Sequence, residues 1–143
     1  MAGPLKADHR IVNPEELPRP IGYSHVVITG PGRVVGVAGQ VGVEDDGRQP
    51  RAGMAEQFEK AIGRVALALS AAGAAPESVV SMLIFVTDIE AYQAALEPIG
   101  IAYRRHFGRH YPAITLVEVR RLFSKDALVE ITATAVIAEK DAG

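Results

Sequence analysis

Cysteine and tryptophan are both absent from the 143-residue sequence. Without cysteine there is no disulfide, no thiolate metal ligand and no thiol nucleophile. That absence fits a reducing compartment, and the expected location is cytoplasmic. No apolar run approaches the roughly 18 residues that a membrane span requires. The first residues, Met1 to Asn13, also lack the apolar core of a signal peptide. No membrane partner is therefore expected. A basic surplus is missing too: 15 Lys and Arg stand against 17 Asp and Glu, giving a formal net charge of −2 and a pI near 6.1. Phosphate backbones are held by excess cation, so no nucleic-acid partner is expected either.

What is present is ordinary globular material. Hydrophobic residues make up 48% and charged residues 22% of the chain, which excludes a disordered, collagen-like or coiled-coil polypeptide. The length corresponds to one domain, residues 1–143, able to bury roughly two-thirds of its unfolded surface. Four prolines fall within residues 1–20, so this segment should be irregular apart from a short strand at His9 to Val12. The tail, 139–143, should fray.

Periodicity gives the remaining elements. SHVVIT and RVVGVAGQ, between Tyr23 and Gln40, are β-branched runs separated by Pro31 and Gly32, which reads as a hairpin. Val41 to Gly53 reads as turn and loop. Met54, Phe58, Ile62, Val65 and Leu69 recur at helical spacing through Met54 to Ala72, with Gly73 as the stop. Ser78 to Thr87 is apolar on both faces, as in a buried strand. Asp88 can cap a second helix over Ile89 to Phe107, with a kink or break expected at Pro98 and Gly100. Two more strands, AITLVEVRRL from Ala113 and ALVEITATAVIA from Ala127, close the chain around a turn at Ser124 to Asp126.

On the last strand Val129, Ile131, Ala133, Ala135 and Ile137 share one face, and Leu128, Glu130, Thr132, Thr134 and Val136 share the other. On the strand before it, Ile114 and Leu116 lie opposite Ala113, Thr115 and Val117. Two helices cover one face of such a sheet. The other face is mixed and sparsely charged, which predicts a homo-oligomer with sites near the seam; a solvated face with scattered aliphatics is the alternative.

Several motifs exclude chemistry. TGPGRVVGVAGQVG has Val35 in place of the third glycine of a G-x-G-x-x-G loop and no helix directly after it, so its glycines read as structural. His106 and His110 are four apart, but Gly108 should end the helix between them, and no metal site is predicted. His25, beside Tyr23, is either a surface or a pocket residue. No serine lies in G-x-S-x-G. Glu130 is the most informative acid. Covered by a neighbouring subunit it would be desolvated, its pKa raised, and suited to proton transfer or water orientation. The alternative is an exposed strand glutamate paired with a cross-strand arginine.

Four segments together resemble the Rid family, the YjgF-like reactive intermediate deaminases: AGQVG at Ala38 to Gly42, ALSAAGAAPESVVSMLIFVTDIEAY at Ala68 to Tyr92, PAITLVEVRRL at Pro112 to Leu122, and VEITATAVIA at Val129 to Ala138. The similarity runs from about Ile21 to Ala138. It implies an α+β, chorismate-mutase-like fold, a single sheet of about six strands backed by two helices, assembled as a homotrimer with clefts between subunits. It also implies cofactor-free hydrolysis of a reactive imine or enamine, a small-molecule ligand, to a ketone and ammonia. By resemblance the catalytic residues are Glu130, for water, and Tyr23. The substrate-binding residues are Gly39, Ala38, Ile114 and Leu116.

Three positions depart from the family pattern. Ile114 stands where the family carries its carboxylate-binding arginine, Ala38 where it has serine, and Leu116 where it often has cysteine. LEPIG, Leu96 to Gly100, resembles an insertion. A charge-assisted contact is worth about 1.5–3 kcal/mol, so a pocket floored by Ile114, Leu116 and Ala38 should turn away a 2-aminoacrylate-type imine and take a larger or uncharged ligand. Arg120 lies about 20 Å along the strand from Ile114, too far to substitute; Arg104 or Arg105 of a neighbour is the other candidate. Binding without turnover is the alternative function, and an endoribonuclease is the weakest of the readings.

Overall fold

Helix α1, Met54–Ala71, forms where the apolar spacing is clearest. Phe58, Ile62, Val65 and Leu69 are almost wholly buried on one stripe. Each such side chain contributes about 1.5–3 kcal/mol by leaving water. Gly73, at φ +77°, ends the helix as expected, and Ala74 N–H donates back to Leu69 O at 2.9 Å. The left-handed conformation at this position is the reason a glycine is needed there. The computed structural model describes residues 7–44 and 52–139. Residues 45–51 of the expected turn and loop over Val41 to Gly53, and the expected frayed tail beyond Glu139, lie outside the described residues.

Among the described residues there are six strands: β1 (His9–Val12), β2 (Val26–Thr29), β3 (Arg33–Val41), β4 (Val79–Val86), β5 (Ala113–Glu118) and β6 (Val129–Ile137). Four of them form a mixed sheet in the order β3-β6-β4-β5, antiparallel except for the parallel β4–β5 pair. The parallel pair requires a helical crossover, supplied by α2 (Ile89–Ala94) and α3 (Leu96–Phe107). All three helices pack against one face. The α+β architecture is thus the expected one, but the expected single sheet of about six strands is corrected to a four-stranded sheet and a two-stranded ribbon, because only one bridge, not a ladder, joins them. β1 and β2 form a separate antiparallel ribbon. The ribbon is tied to the β5 edge by the Ser24–Ala113 bridge, where Ser24 N–H donates to Pro112 O at 3.0 Å.

Two local expectations are corrected. β2 and β3 do not form a hairpin: β2 pairs with β1, and β3 pairs with β6. Pro31 and Gly32 therefore hand the chain from one sheet to the other. Gly32 is required at that crossing, because a Cβ there would overlap the Ile137 carbonyl. The second helix does break, but at Ala95 rather than at Pro98 or Gly100. Pro98 falls in the first turn of α3, where its missing N–H has no partner to lose. Asp88 caps α2 as expected, accepting from Ala91 N–H at 3.0 Å.

On β6 the alternation is as expected: Val129, Ile131, Ala133, Ala135 and Ile137 are buried against the helices. β4 is not covered on both faces, because Ser81 and Leu83 are exposed opposite buried Met82 and Ile84. The histidine pair diverges. His106 lies beside Gly63 of α1, and His110 Nε2 sits 2.8 Å from Val79 O. Among the described residues no group of three potential ligands forms a metal site, and no helix is long and apolar enough to cross a membrane.

Candidate functional site

The residues singled out from the sequence fall into two groups on opposite faces of the sheet. The first surrounds Glu130 on the face without helices. Between Val37, opposite Ala133, and Gln40, opposite Ile131, the register shifts. Ala38 and Gly39 therefore stand against Thr132 alone, a β-bulge that takes them out of the ladder. Thr132 Oγ1 pins the bulge by donating to Val37 O at 2.7 Å. Gly39 lies directly against the Glu130 carboxylate, where a Cβ would overlap Oε1 and crowd Cγ. Glu130 is half-buried and in register with Val41 and Phe85. Both neighbours belong to a small apolar cluster with Val43, Leu122 and Ala127. The acid thus has an apolar collar, an exposed bulge beside it, and an open side.

The second group lies at the β5 edge on the helix side. Ile114 is in register with Met82 and Leu116 with Ile84, so both point toward the helices. They form one wall of a cavity of about 560 Å³ that also includes Tyr23. The size is that of a small-molecule site. Ala38 is not among its lining residues. Of the three apolar floor residues expected from the sequence, then, Ile114 and Leu116 line the cavity in a single chain and Ala38 does not. Glu130 and Ile114 face away from each other across the sheet.

Sequence reasoning missed most of this cavity. Tyr92, Tyr103 and Tyr111 line it with Tyr23, which accounts for every tyrosine in the chain, and Phe58 joins them. Tyr103 and Tyr111 stack at 5.3 Å with planes 8° apart, and Phe58 meets Tyr92 edge-on at 6.1 Å. Tyr103 OH donates to His110 O at 2.5 Å. Burial pushes the Tyr92 hydroxyl up to about 12. Burial, with Tyr111 and Tyr92 adding to it, pushes Tyr103 up further still. These hydroxyls stay protonated at working pH and serve as walls and donors, not bases. The available signal was the scarcity of aromatics, 6% of the chain, with three tyrosines confined to the second helix and its exit.

Tyr23 also borders a smaller cavity of about 320 Å³ with Ser24, His25 and Ser81. His25 is a prop for Tyr23: the rings meet edge-on at 5.2 Å, and His25 is fixed by Pro18 O at 2.7 Å and Asn13 Oδ1 at 2.8 Å. Arg105 is held on the surface by an ion pair to Glu59. Arg104 instead lines the larger cavity of its own chain, beside Leu96, Ile99 and Gly100.

The family profile described as Endoribonuclease L-PSP matches residues 15–137. The chain belongs to that family. A RutC family protein of Pyrococcus abyssi is 32% identical over 87% of this chain and 94% of its own. The human 2-iminobutanoate/2-iminopropanoate deaminase is 28% identical, covering 89% of both chains. Among solved structures, the Rid-family protein YyfB of Yersinia pestis superposes with a TM-score of 0.78 at 29% identity, over 90% of this chain and 98% of that one. TdcF of E. coli, solved with bound serine, superposes at 0.62 with 28% identity over 90% and 99%. The Endoribonuclease L-PSP fold accounts for the mixed sheet with helices on one side.

Proposed function

We propose that this protein hydrolyses a reactive imine or enamine to a carbonyl compound and ammonia, without a cofactor, in clefts completed where copies of the chain meet as a homotrimer. The observation that carries the reading is Glu130: a mid-strand carboxylate, half-buried between Val41 and Phe85 and pressed against the Gly39 bulge, on the face its own helices leave open. The human deaminase among the relatives supports the reaction class. The opposite orientation of Ile114 and Glu130 supports a shared cleft, since only a second copy can bring a Glu130 to the Tyr23–Ile114 side.

The chemistry follows from these groups. Water adds to the C=N carbon while Glu130 takes one of its protons. The π pair moves to nitrogen, which takes a proton from solvent. The resulting amino alcohol collapses as its hydroxyl proton passes to solvent, the C–N bond breaks and Glu130 returns its proton to the departing nitrogen. The net reaction consumes one imine and one water and gives one ketone and one ammonia. An enamine enters the same path after protonation at carbon. Gly39 N–H, freed from the ladder by the bulge, meets the charge that develops, and Tyr23 shapes the ligand.

Glu130→Gln tests this. General acid–base groups contribute about 10²- to 10⁴-fold, so turnover of an imine panel should fall by that amount while ligand binding and the unfolding midpoint hold. Unchanged turnover would overturn the assignment. The absence of turnover on any imine by the unaltered protein would favour the second reading, a trimeric small-molecule binder, which the apolar Ile114 and Leu116 wall also suits. Three copies of 15.2 kDa should sediment at about 46 kDa; a monomer in dilute solution would remove the shared cleft.

A further inference from the structure

The cavity behind Ile114 carries more information than its size. Its walls are aromatic on several sides: Tyr103 and Tyr111 are stacked, and Phe58 and Tyr92 meet edge-on. Rings held in this way present π faces and edges that reward a planar ring more than a flexible alkyl chain of equal area. The remaining contributions from α3 are Leu96, Ile99, Gly100 and Arg104. Arg104 is the only charged residue among the lining residues. It has no carboxylate partner among the described residues, unlike its neighbour Arg105. Its guanidinium lies over Gly100, where a Cβ would come within 3.1 Å of Nη1. A glycine inside a helix is unfavourable, and here the missing side chain leaves the space that the guanidinium occupies at the cavity rim. The arrangement is a slot for a flat apolar body with a cation at its mouth. A guanidinium is the side chain best matched to the two oxygens of a carboxylate.

We infer that this cavity binds an aryl-bearing 2-imino acid, its ring against the aromatic walls and its carboxylate on Arg104. The inference rests on the hydrolase reading only for the imine; the ring and the carboxylate follow from the cavity itself. In such a pose the C=N carbon lies between the ring and the carboxylate, one bond from the group that Arg104 holds.

The test separates binding from turnover. The full-length protein, in its native assembly, is titrated with three 2-oxo acids, the stable hydrolysis products: phenylpyruvate, 4-methyl-2-oxopentanoate and pyruvate. Phenylpyruvate should bind roughly threefold to tenfold more tightly than the branched aliphatic acid and roughly thirtyfold to hundredfold more tightly than pyruvate. Arg104→Leu, at an exposed rim position, should weaken phenylpyruvate by about tenfold to hundredfold. It should leave 1-phenylpropan-2-one, which has the ring but no carboxylate, unchanged. Equal affinity for pyruvate and phenylpyruvate would overturn the inference. So would a preference for the aliphatic acid, or an Arg104→Leu effect that is the same for the charged and the neutral ketone. If the binding order holds and no imine is hydrolysed, the cavity assignment stands and the hydrolase reading fails. Brisk hydrolysis of 2-iminopropanoate without any preference for the aryl acid gives the reverse.

Discussion

The two faces of the sheet have been made from the same alternation and put to different uses. On the helix side Val129, Ile131 and Ala135 have no solvent exposure, and the cluster they join runs through all three helices. On the other side Leu83 is 44% exposed, Val117 40% and Val34 72%, interspersed with Thr115, Thr132, Thr134 and the half-buried Glu130. The first face is closed by its own chain, so it carries stability. The second offers hydrophobic surface, a bulge and a carboxylate that no element among the described residues covers. Exposed apolar area of this kind marks an interaction surface.

The largest expected contrast is in stability. Ile131→Ala should cost about 2–5 kcal/mol in denaturant unfolding. Leu83→Ala, one register step away on the open face, should change the unfolding of the dissociated chain by less than about 1 kcal/mol and show itself in sedimentation as weaker association. Equal losses at the two sites would erase the distinction between the faces.

A second contrast is in pH dependence and concerns the helix side alone. Tyr92 is raised from 10.0 to about 12 by burial, and Tyr103 is raised in the same direction. A raised folded-state value means the folded chain holds its proton longer than the unfolded one. That stabilisation is complete below pH 10 and is lost as the pH climbs through 12. Urea midpoints measured from pH 8 to pH 12 should fall over that window, and Tyr92→Phe should shallow the decline. A flat profile would mean that the cavity wall is wet.

The third and smallest effect lies on the open side. Gly39→Ala fits the backbone, since φ there is not positive, but the new methyl displaces the Glu130 side chain. Turnover should drop by roughly tenfold to a hundredfold, as small misplacements of a reacting group do, with the melting temperature nearly unchanged. A large loss of stability with intact turnover would make the glycine structural.

How much of this could be read beforehand varied with the range of the interactions. α1, β4 and β6 follow from local spacing, and so do the Asp88 cap and the Gly73 stop. The inward face of β6 was legible because alternation with period two is a property of the strand itself. β2 was misassigned to a hairpin because its partner is chosen by competition among strands, and Pro31 and Gly32 serve a crossing as well as a turn. Pro98 drew the expected break toward itself, although a proline three residues into a helix disturbs nothing.

The site divides in the same way. Glu130, Gly39 and Tyr23 were visible as residues standing in recognisable segments. That Ile114 and Leu116 lie behind the sheet, away from Ala38 and Glu130, needed the β4–β5 register, which no local pattern encodes. The four tyrosines gave no sign of belonging together, since residues 23, 92, 103 and 111 meet only after the crossover has folded. The sequence by itself determined which segments become helix or strand, which strand face is apolar, and the kinds of chemistry the side chains permit, because these depend on neighbours a few bonds away. The tertiary structure alone decided which strands pair, which face stays uncovered and which side chains share a cavity, because those depend on contacts between residues far apart in the chain, where packing selects among arrangements that local preference leaves equal.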